Sequence, residues 1–169
     1  RECELERVAV TRGAEAHGAH RRAVRHWQLL TASALTGLGA RALQIGVEYV
    51  QERRAFGVLI ANFQTIQHRL ADNAVAMEGA RLLAYEAAWA YDAGQANAES
   101  LALMSFLFAS ESAFRTAGDS LHFHGGYGFT LEYDIQLYFR RAKAWPLLAG
   151  DPEPQYAALA HRRAAGSKD

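Results

Sequence analysis

Cysteine is almost absent from this chain. Cys3 stands alone, so no internal disulfide can form, a thiolate zinc site has no ligand set, and a reducing compartment is the expected setting. Proline is nearly as scarce: Pro146, Pro152 and Pro154 all fall in the last quarter, and residues 1–145 contain no obligatory helix breaker. Net charge is missing too. The 18 Lys and Arg cancel the 18 Asp and Glu, which argues against a dedicated nucleic-acid binder, since those carry a basic domain or stripe. No apolar run approaches the ~20 residues of a membrane span, and no signal-peptide pattern opens the chain. A soluble, intracellular, cytoplasmic protein is therefore expected. Arg1 rather than Met leads the sequence, as in a processed or excised piece of a longer protein. What is present is apolar: half of the 169 residues are hydrophobic. That composition excludes intrinsic disorder, and the length suits one domain that buries roughly 70% of its unfolded surface.

Ala-rich and Leu-rich stretches without breakers predict helices. The first is expected over about 20–54, through Leu29, Leu30, Leu35, Leu38, Leu43, Ile45 and Val50. A second runs from 63 to about 91, with Phe63, Ile66, Leu70, Ala74 and Met77 at spacings of three and four, hence on one face. A third covers about 100–122, with Leu103, Leu107, Phe114, Ala117 and Leu121 as its stripe, and a shorter one about 132–143. Connectors are expected at 55–62, 93–99, 125–130 and 145–154, with Gly94 closing the second helix in a left-handed conformation. No strand of convincing length is expected after residue 20. Residues 1–19 read as a linker or the end of an upstream domain, residues 20–165 as the folded domain, and residues 166–169 as a mobile tail. The expected fold is all-α, an antiparallel four-helix bundle.

A helical bundle invites a di-metal carboxylate site, which needs Glu-x-x-His pairs sharing a helix face. No glutamate in the chain has a histidine three places on, so no metal is expected. His122 and His124 are two apart, a spacing that does not converge on one helical face. Tyr85, Trp89 and Tyr91 read as core and rim packing, as do Phe106, Phe108 and Phe114. The most unusual stretch is His124-Gly125-Gly126-Tyr127-Gly128-Phe129. Its glycines permit positive φ and close approach of backbone amides to a ligand, although a tight helix connector explains them as well. It lacks the strand and the spacing of a dinucleotide fingerprint. The basic clusters Glu52-Arg53-Arg54-Ala55-Phe56-Gly57 and Arg140-Arg141-Ala142-Lys143 each close a helix, where cations complement the dipole, and each could also grip a phosphate.

In order and separation these clusters resemble the C-terminal helical domain of the acyl-CoA dehydrogenase family. The matching residues are Tyr49 to Gly57, then Phe63-Gln64, Leu70-Ala71-Asp72, His124 to Tyr133 and Tyr138 to Lys143, and the resemblance covers about residues 20–165. It implies two upstream domains, FAD as cofactor, a dimer-of-dimers assembly with homologous subunits, an electron-accepting flavoprotein as possible partner, and α,β-dehydrogenation of an acyl-CoA thioester. It further implies that this bundle faces the FAD of a neighbouring subunit. By position, Arg53 would meet the pyrophosphate, Phe56 would pack against the cofactor, and Gln64 would hydrogen-bond it. Gly125 and Gly126 would admit the adenosine side closely. His122 stands where many members have glutamine, and Ala55 where a polar residue is frequent.

The substrate side departs from the family. Its catalytic glutamate commonly follows the motif at Arg140 to Lys143, and counting from Arg140 that position is Ala149, followed by Gly150 and Asp151. A minority of members carry the base on the first long helix, and counting back from Phe56 that position is Trp27. The arginine that usually follows it and helps hold the CoA portion is Gln28, and Arg141 replaces a usual aspartate. Neither base position has a carboxylate. Asp151 is the nearest candidate base, with a shifted loop, and Glu153 a more remote one; loss of a general base costs typically ~10²–10⁴-fold in rate. Three functions follow: a subunit that supplies FAD contacts to a catalytic partner, a competent enzyme with a relocated base, or a helical interaction module. Phe106, Phe108, Phe123, Tyr138, Phe139 and Trp145 are expected to be too many for one core, leaving an oligomer interface exposed.

Overall fold

The computed structural model describes residues 13–166 and is helical almost throughout. The helices are α1 (Ala14–Glu52), α2 (Gln64–Asp92), α3 (Ala98–Phe123), α4 (Ile135–Leu147) and α5 (Pro152–Gly166). A two-stranded antiparallel hairpin, β1 (Arg54–Ala55) and β2 (Val58–Leu59), follows α1. Short 3-10 turns occupy Ile60–Asn62 and Gly125–Phe129. The first four helices make the expected bundle, and α5 lies against α3. Gly94 ends α2 at φ +63, as its position predicts.

α1 and α3 run side by side in the same direction. A Cβ added at Gly39 would stand 3.2 Å from Ala113 Cα, and one at Gly46 would stand 3.3 Å from Ser120 Cα. Both pairs are seven residues apart on each helix, about two turns, so the missing side chains let the two backbones stay close over that length. Around this seam Ala32, Leu35, Leu38, Ala42, Leu103 and Phe106 form the main core with residues of α2 and α4.

Several sequence expectations need correction. α1 begins at Ala14, six residues before the expected start, so residues 14–19 are helical; Cys3 and the rest of residues 1–12 lie outside the described residues, as do 167–169. The buried face of α2 is an alanine seam of Ala76, Ala80, Ala84, Ala87 and Ala90 with Asn73 and Met77, whereas Phe63 and Ala74 are exposed. Close helix approach favours small residues there, and spacing of the larger ones misled the reading. Tyr85 and Trp89 are exposed on α2, not packed in the core or at its rim. Phe106 and Phe123 are buried, and Tyr138, Phe139 and Trp145 pack against the core, so of the six aromatics expected to overflow only Phe108 is exposed.

The largest omission is α5: the sequence reading has a connector at 145–154 and no helix over the rest of the folded domain to 165. Pro152 occupies its first position, where a missing N–H loses no intrahelical bond and the fixed φ suits a helix. Asp151 caps it, its Oδ1 accepting the Glu153 N–H at 3.1 Å. The hairpin was missed as well. Phe56 at φ 52 and Gly57 at φ 81 supply the two left-handed residues that a tight two-residue turn of type I′ requires, a feature invisible to alternation patterns.

Candidate functional site

Two surfaces concentrate the unusual chemistry, and α1 carries part of both. At its C-terminal end lies a face built by the hairpin, the start of α2, the end of α3 and the glycine-rich turn. Arg53, Phe56, Gln64, His122, Gly125 and Gly126 all sit there, and all are exposed. Phe56 is 95% exposed although its left-handed backbone is costly for a bulky residue. Among the described residues, nothing packs to justify that cost beyond an edge contact with Phe63 at 6.4 Å. Gly125 takes φ +59, and a Cβ at Gly125 or Gly126 would meet nothing within 4 Å, so these glycines leave open space rather than relieve crowding. Gly128 differs. It is buried, and a Cβ there would lie 2.6 Å from the Leu121 carbonyl oxygen.

Beneath this face is an aromatic box that sequence reading did not find. His124 is buried and stacks on Tyr49 at 3.9 Å, with Tyr133 edge-on at 5.2 Å. Tyr127 leans toward Tyr133, and the Arg53 guanidinium lies over the Tyr127 ring at 5.9 Å. The tyrosines at 49, 127 and 133 and the adjacent histidine are the signal in the sequence, but their sequence separations hide that they converge. His124 Nδ1 lies 2.7 Å from Ser120 O. A carbonyl only accepts, so Nδ1 carries the proton and Nε2 is bare in the neutral ring. Burial holds the His124 pKa below its usual value, partly offset by the bond to Ser120 O.

That shift sets a pH dependence. The unfolded chain takes up a proton near pH 6.5 while folded His124 resists it, so stability is full above that pH and falls as the pH drops below it. The expected slope is up to about 1.4 kcal/mol per pH unit, the value for one proton gained on unfolding. Chemical denaturation between pH 8 and 5 measures it, and His124→Gln, which does not titrate, should flatten that slope.

The second surface is a cleft of about 740 Å³ between the first turns of α1 and the α4–α5 turn. Trp27 and Ala149, the two alternative positions counted from sequence for a catalytic carboxylate, both line it. Val24, Leu103, Leu148 and Pro154 make its other apolar walls. A polar chain crosses it: Arg25 Nη1 donates to Gln28 Oε1 (2.6 Å), Gln28 Nε2 to Gln155 Oε1 (3.1 Å), and Gln155 Nε2 to Ala149 O (3.2 Å). Asp151 and Glu153 are exposed and do not line the cleft. Arg140 and Arg141 are exposed on α4, Arg140 donating to Gln136 Oε1 at 3.3 Å. Among the described residues no helix is long and apolar enough to cross a membrane.

The comparisons with known proteins agree with this fold. The family model described as acyl-CoA dehydrogenase, C-terminal domain, matches residues 18–163. A 3-(aryl)acrylate reductase of Clostridium sporogenes is 36% identical over 124 residues, covering 73% of this chain and 33% of that protein. A caffeyl-CoA reductase–Etf complex subunit of Acetobacterium woodii is 34% identical over 128 residues, 76% of this chain and 34% of that one. Among solved structures, the FAD complex of PigA superposes with a TM-score of 0.80 at 28% identity, covering 88% of this chain and 39% of that chain. The chain spans about a third of the length of the curated relatives it matches. By fold, by matched span and by the order of its motifs, the chain belongs to the acyl-CoA dehydrogenase family, as its C-terminal helical domain.

Proposed function

We propose that this chain is the C-terminal part of an FAD-dependent flavoprotein of the acyl-CoA dehydrogenase type, supplying cofactor contacts and oligomer surface without the base that removes the substrate's α-proton. It is then the non-catalytic subunit of a heteromeric enzyme. The observation that carries this reading is the cleft: both positions where the family's glutamate is expected open onto it, and they hold Trp27 and Ala149. The face at the other end of α1 suits a dinucleotide. Arg53 offers a guanidinium fork to a pyrophosphate, Gln64 and His122 offer donors, Phe56 offers an aromatic surface, and Gly125 with Gly126 leaves room for close approach. FAD held against this face by a neighbouring subunit would accept hydride from the β-carbon of a substrate in that neighbour's own acyl site. The relative within a reductase–Etf complex supports an electron-transferring flavoprotein as partner.

A relocated base is the weaker reading. The Asp151 carboxylate already accepts the Glu153 N–H at the start of α5, and neither residue lines the cleft. An anaerobic titration of the full-length protein with a panel of acyl-CoAs, alone and mixed with a homologous subunit, separates the two. Flavin bleaching only in the mixture is expected, and bleaching by the lone protein overturns the proposal. In the mixture, Arg53→Ala should weaken flavin retention about tenfold or more, the scale of one charge-assisted hydrogen bond.

A further inference from the structure

We propose that the cleft between α1 and the α4–α5 turn binds an apolar organic carboxylate, whose anionic end is taken by Arg25. The inference deepens the reading above and rests on it only for the cleft's identity as the acyl site. The cleft's volume of about 740 Å³ lies within the range of small-molecule sites, and its walls are mostly apolar. Its polar lining consists of His20, Arg25, Gln28 and Gln155, with no carboxylate among them.

Arg25 is the unbalanced group. Among the described residues its one hydrogen bond goes to the neutral amide oxygen of Gln28. A guanidinium has five N–H donors, so most of its capacity remains for a ligand. The nearby Glu99 is already engaged, its Oε2 lying 3.1 Å from Arg162 Nη1. Burial, together with the like charge of Arg162, lowers the Arg25 pKa, and the pull of Glu99 offsets this only in part. The Gln28 amide donates to Gln155 and the Gln155 amide to the Ala149 carbonyl, which leaves the guanidinium as the strongest polar group facing the cleft.

Loss of the base has an electrostatic consequence here. A glutamate at 27 or 149 would repel a second carboxylate in the same cleft; Trp27 and Ala149 do not, and Arg25 attracts one. Two sources share this chemistry: a free aryl or alkyl acid, and the distal carboxylate of a dicarboxylic acyl thioester.

Calorimetric titration of the full-length protein with 3-phenylpropionate, its neutral amide and glutaryl-CoA tests the proposal. The acid should bind about tenfold or more tighter than the amide, the scale of a hydrogen bond to a charged group. Arg25→Gln should abolish that preference, and Arg25→Lys should keep part of it. Binding of glutaryl-CoA with an Arg25-dependent preference over butyryl-CoA, without binding of the free acid, assigns the thioester source. Equal binding of acid and amide with no such thioester preference overturns the proposal, as does a preference that survives Arg25→Gln. Flavin content recorded on the same samples keeps the two readings apart. Lost flavin with a retained acid preference defeats only the cofactor role, and retained flavin without any carboxylate preference defeats only this inference.

Discussion

Ala149→Glu should raise the rate of flavin reduction by an acyl-CoA about 10²- to 10⁴-fold over the unmodified protein, the usual contribution of a positioned general base. The position faces the cleft, on the turn after α4, and the cleft has room for a longer side chain. The new carboxylate would stand near the Gln155 amide that now donates to the Ala149 carbonyl, a neutral neighbour that does not prevent ionisation. Stopped-flow absorbance of the flavin under anaerobic conditions measures the effect. The companion Ala149→Gln introduces the same bulk without a base and should leave the rate unchanged. If Glu and Gln behave alike, a carboxylate at position 149 is not what limits flavin reduction. The new charge should also weaken carboxylate ligands at Arg25, so gain of turnover and loss of acid binding are expected together.

Gly128→Ala should be the most damaging small substitution at the opposite end, costing about 3 kcal/mol of stability. The added Cβ would lie 2.6 Å from the Leu121 carbonyl oxygen, 3.1 Å from Leu121 Cγ and 3.2 Å from His124 Cβ. The first of these is backbone near the end of α3 and cannot rotate away, and overpacking of this kind costs typically 1–3 kcal/mol, occasionally more. Gly126→Ala is the control, because a Cβ there meets nothing within 4 Å. Urea unfolding of both variants should place Gly126→Ala near the parent and Gly128→Ala far below it. Displacement of His124 by the same clash should also disturb its stack on Tyr49, visible in the near-ultraviolet dichroism.

The sequence made the helices legible because long breaker-free stretches leave few alternatives, and it made the face around Arg53 stand out because Arg53, Phe56, Gln64 and the glycine turn keep a recognisable order. What it concealed follows from physics that single-residue patterns do not carry. The alanine seam of α2 is buried through close backbone approach, whereas a reading weighted by side-chain size looks to Phe63 and Ile66. α5 opens with Asp151-Pro152, a cap and first-turn proline that signal a helix start as clearly as a loop, so the local pattern leaves both open. The His124 box joins tyrosines from three segments, and only the folded chain brings them together.

The length of α1 has a consequence for how this domain can lose or acquire activity. Trp27, a third of the way along α1, and Arg53, just past its C-terminal end, are 26 residues apart, about 39 Å at 1.5 Å per residue. A substitution at the cleft therefore has no short mechanical route to the face around Arg53. The two sites can therefore change independently in sequence, each answering to its own chemistry.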